Sequence, residues 1–265
     1  METAAGNSFG VMSLNLRFGL ADDGPNCWDC RKASLPGLFE EYGADFVCTQ
    51  ETNDFQAGHL QELLPNYAML GLRRPAPRFW QHNLIFAKKL WKPLAQRRFY
   101  LSPIPDIPSR FKKSRWPRQC TLGLFEKDGN ALVVAVTHLD FDSEIQTRSA
   151  LIILDELEKF TPSGTPAILT GDFNARPGSP VHKLLLGQGP ESPREFDLFK
   201  DVFEGNDKGT HHGFTGQADQ QKGRIDWILH RGGLLVEKAC VIEGRFAAFY
   251  PSDHFPVWAG FSWQK

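Results

Sequence analysis

Short apolar runs that end in polar or glycine residues recur along the chain and predict a strand-rich protein. Each run is shorter than a typical helix, and a run of this length bounded by polar residues is typical of a buried β-strand. The predicted strands are residues 10–15, 45–50, 67–70, 83–87, 120–125, 131–138, 167–171, 225–230 and 257–261.

Longer stretches with apolar residues at helical spacing separate some of these strands. Helices are predicted at residues 31–42, 55–64, 144–160 and roughly 180–186. In the third of them apolar residues return on one face, at Ile145, Ile152, Ile153, Leu157 and Phe160. Such a face packs against a sheet. The helices alternate only partly with the strands, so the pattern permits a protein of mixed α and β structure without deciding its architecture.

The remaining segments are predicted to be loops. Residues 94–118 contain prolines at 103, 105, 108 and 117 and a basic cluster at 110–118, which predicts an irregular excursion between strands. Surface loops are also expected at 187–195 and 205–223. No internal repeat and no break in composition divides the chain, so we expect one domain over residues 1–265.

Composition and charge exclude several classes of protein. With 41% hydrophobic and 23% charged residues, the chain is too apolar to be disordered. No apolar run approaches the roughly 20 residues that span a bilayer, and the opening METAAGNSFG lacks the features of a secretory signal. We expect a cytoplasmic protein without membrane contact or an obligate protein partner. The net charge of −1 gives no overall attraction to nucleic acid.

The five cysteines, an odd number, argue against a disulfide framework and for reduced thiols. Cys27 and Cys30 form the run C-W-D-C, which is compatible with half a zinc site or with a redox pair. A zinc site needs a second pair of ligands, and His211 and His212 are adjacent rather than suitably spaced. We therefore interpret Cys27 and Cys30 as two separate thiols.

Polar side chains that can hold a metal follow many of the apolar runs. They occur at Asn15, Gln50-Glu51, Thr137-His138, Gly171-Asp172-Phe173-Asn174, Asp226 and Ser252-Asp253-His254. Strand ends bring such side chains to a sheet edge, so we expect them to share one cleft. The donors are mostly oxygen atoms, which suit Mg²⁺ or Mn²⁺ rather than Zn²⁺. A magnesium site of this kind points to hydrolysis of a phosphate ester.

The motifs N-L-R, Q-E, T-H-L, G-D-F-N, R-I-D-W-I and S-D-H occur in this order between Asn15 and His254. The series resembles the endonuclease/exonuclease/phosphatase superfamily of deoxyribonuclease-like phosphoesterases over nearly the whole chain. The resemblance implies a four-layer α/β sandwich, with two packed and mainly antiparallel β-sheets flanked by helices. It also implies a Mg²⁺ or Mn²⁺ cofactor and in-line attack of an activated water on phosphorus.

The resemblance assigns the metal to three residues. Glu51 matches the metal-binding glutamate of the family. Asn15 matches the asparagine that helps to hold the metal or the phosphate, and Asp253 is expected to be a second metal ligand or to organise the site.

Five further residues match catalytic positions of the family. Asp172 matches the aspartate that orients and deprotonates the attacking water, and Asn174 its partner at the phosphate or the water. His254 matches the catalytic histidine, and Asp226 the carboxylate that orients it. His138 resembles the histidine that stabilises the transition state by donating to a phosphate oxygen. Either Asp172 or His254 could be the general base.

The basic segment offers candidate contacts to a phosphate-ester substrate. Arg115, Trp116 and Arg118 could grip a phosphate backbone and stack a base, and a solvated loop is an equally good interpretation of this segment. The net charge of −1 favours a single-stranded nucleic acid or a nucleotide over a duplex.

Two other functions remain open within the same superfamily: a phosphomonoesterase and a lipid-headgroup phosphodiesterase. The latter would need an exposed apolar docking hairpin, and the candidates at 79–80 and 246–250 are short. A catalytically inactive binding scaffold would have lost metal ligands, and no such loss is found.

Overall fold

The strands of the protein form two six-stranded sheets. The computed structural model describes residues 8–190, 192, 198–206 and 208–264. With strands numbered along the chain, the first sheet has the order β11 (Leu234–Val241), β12 (Val257–Trp263), β1 (Ser8–Asn15), β2 (Phe46–Thr52), β4 (His82–Lys88), β3 (Tyr67–Leu70). The second has the order β5 (Lys92–Tyr100), β6 (Gln119–Lys127), β7 (Asn130–His138), β8 (Ala167–Asp172), β10 (Asp226–Arg231), β9 (Lys200–Asp201).

Most strand pairs are antiparallel, as predicted. Only the central pairs β1–β2 and β7–β8 are parallel among the described strands. The helices are α1 (Trp28–Arg31), α2 (Leu35–Glu41), α3 (Asp54–Leu63), α4 (Ser143–Phe160) and α5 (Pro180–Leu185), with short 3₁₀ turns at Gly24–Asn26 and Lys32–Ser34. Over the residues described, none of these helices combines the length and apolar character needed to cross a bilayer.

Three apolar clusters hold the layers together. The cluster between the sheets joins residues such as Phe46 of β2 to Val134 of β7. Leu60 of α3 belongs to a cluster on the outer face of the first sheet. Ile153 of α4 and Leu184 of α5 belong to one on the outer face of the second. The order helix, sheet, sheet, helix is the predicted four-layer α/β sandwich.

Three edge strands were not predicted. One is the two-residue strand β9. The others are β5, which covers residues 94–100 of the stretch that we expected to be irregular at 94–118, and β11, which lies where no strand was expected. Most side chains of both strands are exposed or half-buried. An edge strand needs no continuous apolar run, because its neighbour in the sheet determines its conformation. The irregular excursion is therefore shorter and begins after Tyr100.

The helix predicted at 31–42 is divided into shorter pieces. α1 ends at Arg31, a 3₁₀ turn follows, and α2 begins at Leu35. Pro36 lies in the first turn of α2, where its missing N–H costs little, but it cannot continue the hydrogen bonds of a preceding helical turn. The proline therefore favours a new helix start at this point.

The two predicted polar loops are only partly described. At 187–195, residues 191 and 193–195 lie outside the described residues, and at 205–223 residue 207 does. The described part of 205–223 holds turns and one isolated bridge, from His211 to His254. The single domain over 1–265 stays a prediction.

Candidate active site

The parallel pairing at the centre of each sheet brings polar strand ends together. Asp172 ends β8, directly opposite His138 of the parallel strand β7. On its other side, the antiparallel strand β10 begins with Asp226 opposite Asp172. The register of three strands therefore places His138, Asp172 and Asp226 in one row.

A glycine makes this row possible. Gly171 lies opposite Thr137 in the parallel pair and has φ of 147°. A Cβ atom at this position would lie 1.9 Å from the carbonyl oxygen of Thr137. Only glycine fits, because every other side chain begins with that atom. The G of the G-D-F-N motif is therefore required for the close approach of β7 and β8 directly before His138 and Asp172.

Asn15, at the end of β1, joins the two sheets. Its Nδ2 atom donates to Oε1 of Glu51 at 3.1 Å and to Oδ2 of Asp172 at 2.9 Å. The N–H of Arg17 donates to Oδ1 of Asn15 at 2.9 Å, which fixes the orientation of the amide. Asn15 therefore holds a carboxylate of the first sheet next to one of the second.

Glu51 reaches Asn15 through an irregularity in β2. The register with β4 shifts between Thr49 and Thr52, and Glu51 has φ of 58°, an uncommon value for a non-glycine residue. Its Oε2 atom accepts a hydrogen bond from the N–H of Phe18 at 2.8 Å. Backbone outliers of this kind are common where a strained bulge orients a functional side chain.

The G-D-F-N turn connects Asp172 to His138. The N–H of Asn174 donates to Oδ1 of Asp172 at 2.8 Å. The Nδ2 atom of Asn174 donates to the carbonyl of Leu139 and lies 3.0 Å from Nε2 of His138. Because a carbonyl only accepts, the amide nitrogen must face it, and Nε2 of His138 is then an acceptor. Burial, with Arg118 and His254 nearby, lowers the pKa of His138 well below its usual value, so His138 is neutral.

The pKa of His254 is shifted in the opposite direction. Its Nδ1 atom lies 2.8 Å from Oδ2 of Asp226, and its Nε2 atom lies 3.9 Å from Oδ2 of Asp172. Burial by itself lowers the pKa of His254, but Asp226, Asp172 and Asp253 outweigh it and raise that pKa. Burial and the charge of Asp226 also raise the pKa of Asp172. The site thus combines a histidine whose charged form is disfavoured, a histidine whose charged form is favoured and a carboxylate that is costly to ionise.

Asp253 lies beside this group and contacts two residues that were not predicted. Its Oδ2 atom is 3.5 Å from Nη1 of Arg17 and 3.9 Å from Nε2 of His211. Ser252 donates to its Oδ1 atom at 3.1 Å. Arg17 is the R of the N-L-R motif, so the motif could have identified it as a site residue. His211 lies in a polar loop and reaches His254 only through the tertiary structure.

The donor set fits a divalent cation. Two groups of three residues have ligand atoms within 4.8 Å of one another: His211, Asp253 and His254, and Asp172, Asp226 and His254. The Oδ1 atom of Asp226 is buried and has no hydrogen-bond partner among the described residues. Such an atom is costly unless a further group binds it. Carboxylates in this number suit a hard cation.

A cavity of about 320 Å³ opens beside His138. Its lining includes Arg118, Phe18, Phe79, Trp80 and Trp116. Trp116 is 53% exposed and Phe79 is 62% exposed, so both offer apolar surface to a ligand. The cavity is thus aromatic at its walls and adjoins the polar strand ends.

The three predicted substrate residues occupy different places. Trp116 and Arg118 line the cavity together with His138. Arg118 is buried and packs its guanidinium 5.5 Å from the ring of Phe141, and burial lowers its pKa. Arg115 is exposed, with its guanidinium 5.0 Å from the ring of Trp116. The structure therefore brings two of the three to the cavity.

Comparison with solved structures supports the fold. An endonuclease/exonuclease/phosphatase family protein from Bacteroides thetaiotaomicron superposes with a TM-score of 0.85, at 25% identity, over 97% of this chain and 95% of that one. A mannosyl-6-phosphatase from the same organism gives a TM-score of 0.85 at 24% identity, over 96% and 100%. Truncated TDP2 from Caenorhabditis elegans gives 0.72 at 18% identity, over 96% and 97%.

Sequence comparison gives the family. Protein angel of Drosophila melanogaster is 34% identical over 86 residues, which are 31% of this chain and only 22% of that protein. The profile of the Endonuclease/Exonuclease/phosphatase family matches residues 12–254. The chain therefore belongs to the Endonuclease/Exonuclease/phosphatase family of divalent-metal-dependent enzymes and is a hydrolase that acts on phosphoester bonds.

Proposed function

We propose that the chain, as one domain, is a Mg²⁺- or Mn²⁺-dependent phosphodiesterase that acts on a nucleotide or on single-stranded nucleic acid. The observation that carries the proposal is the junction at Asn15. There a single amide nitrogen contacts Glu51 of one sheet and Asp172 of the other. This junction supports one catalytic centre built from both sheets, because the two carboxylates belong to segments far apart in sequence.

We assign the cation to Glu51 and Asp253, with Asn15 as a third candidate. A divalent cation bound there supplies charge that offsets the phosphate oxygens and favours ionisation of water. The Oδ1 atom of Asn15 faces the N–H of Arg17, so Asn15 holds the carboxylates in position and would ligate directly only after its amide turned.

The other residues then have distinct roles. Asp172, fixed by donors from Asn15 and Asn174, orients the attacking water and accepts its proton. Asp226 holds the Nδ1 side of His254, which leaves Nε2 as a donor toward a phosphate oxygen. Because Nε2 of His138 accepts from Asn174, a proton that His138 donates to phosphate must come from Nδ1.

Activity on chromogenic esters tests the proposal first. We expect bis-p-nitrophenyl phosphate to be hydrolysed with Mg²⁺ or Mn²⁺ and the reaction to stop with EDTA and return when the metal is restored. The production of p-nitrophenolate measures the rate. Hydrolysis that continues unchanged in EDTA, after exhaustive dialysis against it, would contradict the metal requirement.

A phosphomonoesterase is the second candidate, and Arg118 favours it. The Nε atom of its buried guanidinium has no hydrogen-bond partner among the described residues, and a monoester dianion offers more charge to the guanidinium than a diester does. The ratio of kcat/KM for bis-p-nitrophenyl phosphate to that for p-nitrophenyl phosphate decides between the two. A ratio above one supports the diesterase, and a ratio well below one supports the phosphatase.

The aromatic cavity predicts how a nucleotide is recognised. Trp116→Ala should raise KM for the p-nitrophenyl ester of thymidine 5′-monophosphate roughly five- to tenfold, because a stacked base contributes about 1 kcal/mol or more. Methyl p-nitrophenyl phosphate has the same leaving group and no base, so its kinetics should not change. Equal effects on both esters would show that Trp116 does not contact the base.

A further inference from the structure

The thiols of Cys27 and Cys30 are close neighbours in the structure. Their sulfur atoms lie 3.5 Å apart, and a disulfide bond requires about 2.0 Å. Cys27 directly precedes α1, and the N–H of Cys30 donates to its carbonyl at 3.1 Å, so one turn of backbone places both side chains together. Both thiols are partly exposed, whereas Cys48 and Cys120 are buried. The sequence interpretation of two separate thiols did not anticipate this contact.

The two thiols differ in chemical character. Hydrogen bonds from the backbone and the thiol of Cys30 lower the pKa of Cys27, and the same contact raises the pKa of Cys30. A thiolate is the attacking species in thiol–disulfide exchange. The directions of these shifts favour Cys27 as the attacking thiol, and at 3.5 Å Cys30 is placed to resolve a mixed disulfide formed on it.

The segment that carries the cysteines touches the candidate active site on both sides. Before the cysteines, Asp23 forms a salt bridge with Arg17 at 2.8 Å. After them, the buried Arg31 donates to the carbonyls of Pro251 at 2.9 Å and Arg17 at 3.0 Å. Pro251 precedes the S-D-H motif, and the guanidinium of Arg17 lies 3.5 Å from Asp253. Contacts through Arg17 and Arg31 thus connect the segment between Asp23 and Arg31 to Asp253 and its neighbours.

We propose that Cys27 and Cys30 form a redox-active dithiol whose oxidation to a disulfide lowers the activity of the neighbouring site. The oxidant is a small disulfide such as oxidised glutathione. Cys27 attacks one of its sulfur atoms and releases one glutathione thiol. Cys30 then attacks the sulfur of Cys27 and releases the second glutathione thiol. Two electrons and two protons pass from the cysteines to the two glutathione molecules.

The disulfide alters the site because Arg31 immediately follows Cys30. The N–H of Arg31 donates to the carbonyl of Cys27 at 3.1 Å. Formation of the disulfide brings the two sulfur atoms more than 1 Å closer, and the turn that positions the guanidinium of Arg31 must accommodate this movement. Trp28 confines this turn, since its buried ring packs 5.0 Å from the guanidinium. With both cysteines reduced, this turn has the conformation in which Arg31 donates to the carbonyls of Pro251 and Arg17.

Mass spectrometry and kinetics on the same samples test the proposal. The full chain is equilibrated in buffers of reduced and oxidised glutathione, free thiols are alkylated, and the protein is digested with trypsin. Cleavage after Arg17 and Arg31 gives a peptide of residues 18–31 that contains these two cysteines and no other. We expect this peptide to convert, as the buffer becomes oxidising, from a doubly alkylated form to an unalkylated form that lacks two hydrogen atoms.

The activity should fall in step with the disulfide. We expect kcat/KM for bis-p-nitrophenyl phosphate to drop roughly fivefold or more, the lower range of couplings between sites, and to recover on reduction. Cys27→Ser should keep the reduced activity and become insensitive to oxidised glutathione. Cys30→Ser should also keep the reduced activity, but it retains the attacking thiol and should carry glutathione on Cys27 as an unresolved mixed disulfide. Cys240→Ser, which removes a half-buried thiol elsewhere, should remain sensitive.

The effect of the disulfide on activity rests on the proposed function, whereas formation of the disulfide does not. The two can therefore fail independently. A peptide that stays doubly alkylated in the most oxidising buffer would overturn the dithiol, whatever the activity. A disulfide that forms without change in kcat/KM would overturn its coupling to the site. An inactive reduced enzyme would instead count against the proposed function, and the peptide would still report the dithiol.

Discussion

Asp172→Asn is expected to lower kcat for phosphoester hydrolysis roughly 10²–10³-fold, the usual cost of removing one catalytic group that acts in the transition state. Asn15 and Asn174 both donate to this carboxylate. An amide at position 172 has the same size, but it cannot accept a proton from water. It also presents at most one acceptor atom to the two donors.

The same substitution should leave the fold stable. Burial and Asp226 raise the pKa of Asp172, which means that folding disfavours its charged form at neutral pH. A neutral amide removes that cost but leaves one of the two donors unpaired, and the two effects oppose each other. We therefore expect the free energy of unfolding to change little although the activity falls.

Steady-state kinetics and thermal unfolding measure the two effects. Asp155→Asn is a suitable control because Asp155 is an exposed carboxylate on α4 that pairs with Lys159. We expect this control to keep the wild-type kcat. Retention of activity in Asp172→Asn to within a few-fold would remove Asp172 from the chemistry.

Arg224→Met is expected to lower the free energy of unfolding by about 3–5 kcal/mol, the usual cost of removing one partner of a buried ion pair. Arg224 is fully buried, and its Nη2 atom donates to Oδ2 of Asp201 at 2.6 Å. Its Nε atom donates to the carbonyl of Asn206 at 3.0 Å. Methionine fills a similar volume but leaves the carboxylate with His182 as its remaining polar side-chain partner.

The stability of this pair should depend on pH. Burial by itself raises the pKa of Asp201, but hydrogen bonding from His182 and the charge of Arg224 outweigh it and lower that pKa. A carboxylate with a lowered pKa stabilises the fold above its unfolded pKa of about 4. That contribution is lost as the pH falls through the lower, folded pKa. Arg224→Met should therefore reduce the difference in stability between neutral and acidic pH.

Urea unfolding at neutral pH and at about pH 3 measures both effects. Lys159→Met removes an exposed partner of a surface ion pair and should change stability little. If Arg224→Met proved as stable as the wild type at neutral pH, the buried pair would not be a main support of β9 and β10.

The interior of the fold and the candidates for chemistry could both be predicted from the amino-acid pattern. Strands β7 and β8 are buried along most of their length, and a strand of this kind must be a continuous apolar run. The edge strands β5 and β11 lack that signal because much of their surface is exposed. The order of the motifs, from N-L-R to S-D-H, was also sufficient to indicate the family, which the profile match confirmed.

Which of these residues meet depends on how the chain packs in three dimensions. Asn15 contacts Asp172 across 157 positions of sequence, and Trp116, but not its neighbour Arg115, is among the residues that line the cavity with His138. The sequence also could not distinguish two separate thiols from the neighbouring pair at Cys27 and Cys30. The local pattern of apolar and polar residues indicates which face of a strand is buried. Contacts between distant segments depend instead on strand register and sheet packing, and no short window of sequence contains that information.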